Sequence, residues 1–381
     1  MDFAEHGHTK GAAEPTMDLK EILRSMLQHE ASDLHLKVGA PPVVRLLGQL
    51  IPMDHPTLAR EDMDVVVADL TSPEQRAQFE RARELDFAVG VPQLGRFRVN
   101  LGMQRGTPTA TLRSIPVSVK SLTALHLPPI VGALAMRQRG IILLTGITGS
   151  GKSTTLAAMV EHINANRRVK IVTIEDPIEF LIRDNKSFVM QREVGVDTAD
   201  FASGLRHVLR QDPDVLMVGE IRDVETMDIA LKAANTGHLV FATLHTTDAV
   251  QTLQRIMTFF PPERGQEVRS LLAENLQGVV SLRLIRTADG KGRVPACEVM
   301  VATEAIRDFL HSGERPSKIA ELISEGGVQY GMQSFDQSLM QLYQEGQIDQ
   351  EEALANATNR SEFGLKLRGI EGTSGRVWVD A

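Results

Sequence analysis

The run Gly146-Ile147-Thr148-Gly149-Ser150-Gly151-Lys152-Ser153 carries the plainest chemistry in this sequence. Its pattern, G-x-x-x-x-G-K-[ST], is that of a phosphate-binding loop. Glycines without a Cβ let the backbone wrap closely around an anion. Loop amides and the N-terminus of the following helix then face that anion. Lys152 adds a point charge for the terminal phosphates, and the Ser153 hydroxyl is placed to reach Mg2+. The expected nucleotide-binding set is therefore Gly146, Thr148, Gly149, Ser150, Gly151, Lys152, Ser153 and Thr154. The apolar run 141–145 precedes the loop, and a helical stripe of Leu156, Met159, Val160 and Ile163 follows it. That strand–loop–helix context separates a nucleotide site from a ligand-free glycine turn.

A phosphate loop binds nucleotide, but hydrolysis also needs a metal partner and a group that orients water. Two acidic clusters end strand-like runs, where ligands gather in open α/β sheets. Residues 172–180 bring Glu175, Asp176 and Glu179 together around Pro177, and residues 214–220 deliver Glu220, the second Mg2+ candidate after Ser153. The bland alternative for each is a solvated, helix-capping acid. A third strand-like run, 237–245, is flanked by His238 and His245. A neutral imidazole there could hydrogen-bond a γ-phosphate, although a histidine at a strand end is more often structural. Earlier in the chain, Arg96 and Arg98 fall on one face of a strand because side chains alternate. Arg113 lies on the next candidate strand. Guanidinium groups on a rigid strand suit a triphosphate, with exposed strand arginines as the alternative.

These residues need two frameworks to position them, and the 381 residues suffice for both. Residues 1–16 read as a disordered lead. From Met17 to about 116, a helical stripe (Leu19, Ile22, Leu23, Met26), strand candidates at 43–47, 85–89, 95–101 and 109–114, and helices at 60–70 and 73–83 describe a small α+β domain. A linker is expected at 117–127. From 128 to about 370, short apolar runs at 141–145, 169–175, 215–219, 239–244 and 279–284 alternate with amphipathic helices. That alternation predicts a mostly parallel sheet covered on both faces. The part beyond 300 reads as helical, and 371–381 as a flexible tail.

Composition removes several classes of function. The formal net charge is −8, which disfavours nucleic acid as the main partner, since phosphate contacts dominate such affinity. A translocase on the same core stays open as an alternative that DNA-stimulated turnover would reveal. A single cysteine, Cys297, rules out an internal disulfide or a four-cysteine zinc site. No apolar run approaches the roughly 18 residues of a membrane helix, and the polar start has no signal-peptide core. A cytoplasmic protein that meets the membrane through a partner is expected.

Taken together, the loop 146–153, the acidic box 172–180, the run ending at Glu220 and the histidine box 237–245 resemble the type II/IV secretion ATPases. Four boxes in the family's order are more specific than any one alone, and the likeness spans about 17–365. The missing tetracysteine element and the short segment before Met17 point to the family's pilus-retraction branch. So does Ala305–Leu310, which is similar to that branch's C-terminal element except at Asp308 and Phe309. The resemblance implies a RecA-like P-loop ATPase domain behind a PAS-like N-terminal domain, assembled as a homo-hexamer. It implies that ATP and Mg2+ are used to drive pilus retraction at the inner face of the inner membrane. An inner-membrane platform protein, and possibly a related retraction ATPase, would be the partners. Glu179 would be the general base and Glu220 would assist Mg2+ and water. His245, supported by His238, would sense nucleotide. Arg96, Arg98 and Arg113 would reach phosphates across a closing domain interface. An accessory retraction ATPase is the nearest alternative.

Overall fold

The structure, a computed structural model, describes residues 17–368 apart from 47, 117 and 314–316. The expectations for 1–16 and 371–381 lie outside the described residues. The chain divides into two compact units at 117/118.

The first unit contains α1 (Leu19–Gln28), β1 (Asp33–Lys37), β2 (Val43–Leu46), β3 (Gln49–Pro52), α2 (Arg60–Leu70), α3 (Pro73–Ala82), β4 (Leu85–Val91), β5 (Gly95–Gln104) and β6 (Thr107–Ile115). Its strands form one sheet in the order β3-β2-β1-β6-β5-β4, with antiparallel pairing throughout. Period-2 alternation in β5 buries Phe97, Val99 and Leu101 and turns Arg96, Arg98 and Asn100 to the opposite face. The three helices pack on the apolar face in one core with Leu23, Met26, Met63, Val66 and Phe79. Asp18 caps α1 through the Lys20 amide at 2.8 Å, and Ser72 caps α3 through that of Gln75. β3 was not expected: all four of its residues are exposed, so it lacks the apolar alternation that marks a strand.

The second unit begins with residues 118–127, expected as a linker. Leu122 and Leu125 instead pack against its core, and the Leu127 amide closes a turn on the Leu122 carbonyl at 3.1 Å. Then follow α4 (Pro129–Ala135), β7 (Gly140–Thr145), α5 (Lys152–Asn166), β8 (Lys170–Glu175), β9 (Phe188–Glu193), α6 (Phe201–Val208), β10 (Val215–Val218), α7 (Val224–Asn235), β11 (Leu239–Leu244), α8 (Ala249–Phe259), a short 3-10 turn at 262–264, α9 (Gly265–Asn275), β12 (Leu276–Arg286) and β13 (Arg293–Val301). The seven strands run β13-β12-β7-β11-β10-β8-β9. All pairs are parallel except the β12–β13 hairpin.

Strands β7, β10 and β11 are buried along their full length. Continuous apolar runs of this kind are what a sheet covered on both faces demands. One face carries α4 and α5, with Leu156, Met159 and Ile163 against Ile142 and Leu144. The other carries α6 to α9, with Met227, Leu231, Ile256 and Leu272 against Ile141, Leu143 and Val240. This is the RecA-like arrangement. The C-terminal part is helical: α10 (Glu304–Ser312), α11 (Ser317–Glu325), α12 (Gly327–Tyr330), α13 (Phe335–Gln344), α14 (Gln350–Asn356) and α15 (Arg360–Leu367). Helices α13–α15 form a satellite core with Ile285, Val294 and Ala296 of the hairpin.

Candidate active site

Parallel pairing puts the C-terminal ends of four adjacent strands, β7, β11, β10 and β8, at one edge of the sheet. From that edge emerge, in spatial order, the phosphate loop, His245, Glu220 and the acidic box. They line a single cavity of about 420 Å³.

The loop is built as its glycines require. Gly146, Gly149 and Gly151 have φ of 142°, 77° and 98°. A Cβ on Gly146 would lie 2.4 Å from Ser150 Oγ and 2.5 Å from the Leu282 carbonyl oxygen, so glycine is needed for space as well as for torsion. Lys152 is the first residue of α5. Its Nζ donates to the carbonyls of Gly146 at 2.7 Å and Ile147 at 3.0 Å. Burial lowers its pKa, and the charges of Glu220 and Glu179 oppose that shift. Ser150 Oγ is buried with no hydrogen-bond partner. Thr148, Gly149, Gly151, Lys152, Ser153 and Thr154 all line the cavity.

Glu175 ends β8 but is buried. Its carboxyl accepts Thr173 Oγ1 at 2.7 Å and Gln191 Nε2 at 3.0 Å, and also the backbone N–H of Glu179. Burial raises its pKa, only partly offset by these donors. Its contacts make it a brace for the turn that presents Glu179. Glu179 and Asp176 are exposed on that turn, which passes through a cis Asp176–Pro177 peptide.

Glu220 follows β10 and is held on both oxygens. His245 Nε2 lies 2.9 Å from Oε1, and Arg222 Nη2 lies 2.7 Å from Oε2. Arg222 also approaches Asp176 at 3.8 Å, and these carboxylates raise its pKa, the Glu220 hydrogen bond most. The connection is short because Asp223 caps α7 through the Thr226 amide at 2.8 Å. Ser153 and Glu220 offer hard oxygen donors to one cavity, which fits Mg2+. That ion takes one or two protein oxygens and completes its shell with phosphate and water. Accordingly, no group of three or more His, Cys, Asp or Glu side chains is gathered as a cage among the described residues.

His238 does not join this site. It precedes β11, whereas His245 follows it, and seven residues at about 3.3 Å each put roughly 20 Å between them. His238 Nδ1 lies 2.9 Å from the Ala233 carbonyl and 3.2 Å from Thr236 Oγ1, closing the C-terminus of α7. Box spacing alone could not reveal this, because a strand flanked by two histidines separates them.

The three arginines lie on the outward face of the N-terminal sheet. Cross-strand register aligns Arg45, Asp33, Arg113 and Arg98 in one row over four strands. Asp33 accepts Arg113 Nε at 2.7 Å and lies 4.0 Å from Arg45. Burial would raise the Asp33 pKa, but its Ser32 and Arg113 partners lower it overall. The sequence reading missed Arg293, Phe201, Met217 and Leu284, which also line the cavity, and Arg222, which pairs with Glu220. Arg222 had a usable signal, two positions after Glu220. The others come from elements whose meeting place depends on strand order.

A phosphate loop on a central parallel strand, with acids at the ends of two further strands along the same edge, defines a P-loop nucleoside triphosphatase of RecA-like fold. The profile of the Type II/IV secretion system protein family matches residues 128–312. The chain is 43% identical over 349 residues to the type IV pilus retraction ATPase PilT of Pseudomonas aeruginosa, covering 91% of this chain and 100% of that one. It is 40% identical over 354 residues to the type IV pilus ATPase PilU of the same organism, covering 92% of each. The crystal structure of the pilus retraction motor PilT with bound ADP superposes with a TM-score of 0.83 at 42% identity, over 91% of this chain and 98% of that one. The chain therefore belongs to the type II/IV secretion system protein family.

Proposed function

We propose that this protein is a hexameric motor that hydrolyses ATP with Mg2+ to retract type IV pili. One observation carries the reading: Lys152, Ser153, Glu179, Glu220 and His245 converge on one cavity in a chain that aligns with the full length of a retraction ATPase. The loop amides and Lys152 bind the phosphates, Nζ exchanging the Gly146 and Ile147 carbonyls for phosphate oxygens. Glu179 takes the proton of the attacking water, and Glu175 fixes the backbone from which it acts. His245 and Arg222 orient Glu220 through its two oxygens. Ser153 and Glu220 would hold Mg2+, which would supply charge neutralisation for the phosphates.

Arg96, Arg98 and Arg113 are proposed to supply further cations to the triphosphate. The motor acts in the cytoplasm on a platform protein of the inner membrane. No helix among the described residues is long and apolar enough to cross a membrane, so that contact is made through the partner. Phosphate release by the purified oligomer, paired with retraction microscopy, tests the reading. Wild type should hydrolyse ATP and retract, and K152A should do neither. Unchanged turnover in K152A would end it. The 40% identity to PilU favours one second reading, an accessory ATPase. Complete loss of retraction in a strain lacking this protein alone supports the primary role, and residual retraction the accessory one.

A further inference from the structure

A buried polar row crosses the sheet immediately below the site. The register aligns Leu244 of β11 with Thr145 of β7, Thr145 with Ser281 of β12, and Ser281 with Glu298 of β13. Thr145 Oγ1 donates to Ser281 Oγ at 2.9 Å, and Ser281 Oγ donates to Glu298 Oε1 at 3.4 Å. Thr145 and Ser281 have no exposed surface or nearly none. At the far end the same Glu298 oxygen accepts the backbone N–H of Ala249 at 2.7 Å. Thr145 immediately precedes the phosphate loop, and Ala249 opens α8, four residues after His245. The turn between His245 and Ala249 is otherwise tied to itself: Thr246 pairs with Thr252 at 2.7 Å, and Asp248 caps α8 through the Gln251 amide at 2.7 Å. Glu298 reaches it from another strand.

We infer that Glu298 is a positioning residue, a buried acid whose ionised form anchors the His245 turn to the strand carrying the phosphate loop. An anion at the first amides of α8 is favoured by the helix dipole. A neutral carboxyl keeps the acceptor and loses that attraction. The groups facing Glu298 are few. Asp248, at the N-cap of α8, disfavours its charge, and Arg283 of β12 favours it, itself shared with Asp336 of α13. Burial dominates, pushing the Glu298 pKa up to about 7. Folding therefore binds a proton between the ordinary carboxylate range and pH 7, and the stability from this group is lost as pH rises through 7. Anchoring gains over the same interval, so this one side chain sets turnover and stability in opposition.

This inference rests on the ATP-hydrolysis reading. Its test is the ratio of wild-type to E298Q kcat between pH 6 and pH 8.5, with ATP saturating. All other residues are common to both proteins, so the ratio isolates Glu298. The expected ratio rises from near one to about tenfold, the scale of one charge at a helix N-terminus, with KM for ATP within twofold. E298Q should also melt a few degrees above wild type at pH 8.5, with the gap closing as pH falls to the ordinary carboxylate range. A ratio that stays flat with pH would overturn the role. If E298Q does not fold, S281A serves: removing a donor to Glu298 should move the neutral limb of kcat to higher pH, and an unmoved limb overturns the inference. Wild type that releases no phosphate would instead sink the function proposed above, whereas a flat ratio in an active enzyme sinks this inference alone.

Discussion

At the scale of single residues, the site separates acids by environment. Glu175 and Glu179 are four positions apart in one box, yet Glu175 is buried among three donors and Glu179 is exposed in the cavity. Glu179→Gln should lower kcat by about 10²–10⁴-fold, the usual worth of a general base, while binding of a fluorescent ATP analogue stays within a few-fold. Glu175→Gln should act differently: it keeps an acceptor for Thr173 and for the Glu179 amide, so turnover should fall less than in the Glu179 variant. Equal losses would remove the distinction, and a larger loss in the Glu175 variant would reverse the two assignments. Gly146→Ala tests the loop itself. Its φ of 142° and the 2.5 Å approach of the Leu282 carbonyl leave no room for a methyl group. At about 1–3 kcal/mol for such backbone strain, the variant should melt earlier and lose nucleotide affinity, both readable by thermal denaturation with and without ADP.

At the scale of elements, much was legible because burial writes itself into sequence. The stripe of Leu156, Met159, Val160 and Ile163 is the buried face of α5, and Met227, Ala230, Leu231 and Ala234 that of α7. Strands β7, β10 and β11 stood out as unbroken apolar runs. What escaped notice lacked such a pattern. β9 is an edge strand with one fully buried residue among six, and β13 carries Pro295 and Glu298 within it. The site was legible where one segment supplies it, as in the phosphate loop. It was not legible where strand order does, as with Arg293 and Leu284 or the separation of His238 from His245. The C-terminal element 305–310 shows what a motif can do locally. Arg307 donates to the carbonyls of Ala273 and Leu276, capping the end of α9 where β12 begins. Arg307→Ala leaves those carbonyls without their donor and should cost about 1–3 kcal/mol in a urea titration, while Asp308→Asn should cost far less.

At the scale of the whole molecule, two units with separate cores imply separable folding. The cores of 118–368 draw on no residue before 118, so a fragment of that span should keep its helical circular dichroism and bind ADP. Without Arg96, Arg98 and Arg113 it should hydrolyse ATP at least about tenfold more slowly; full turnover in the fragment would remove those arginines from the chemistry. One further consequence comes from the parallel sheet. Because β7, β8, β10 and β11 all point the same way, every reactive group they carry leaves from one rim, and the opposite rim holds the connections at 136–139, 167–169, 209–214 and 236–238. Those turns lie a full strand length from the nucleotide cavity. Asp212, whose φ of 55° already suits glycine, offers a foothold there for a dye or an epitope that could report the motor's movements while its chemistry runs undisturbed.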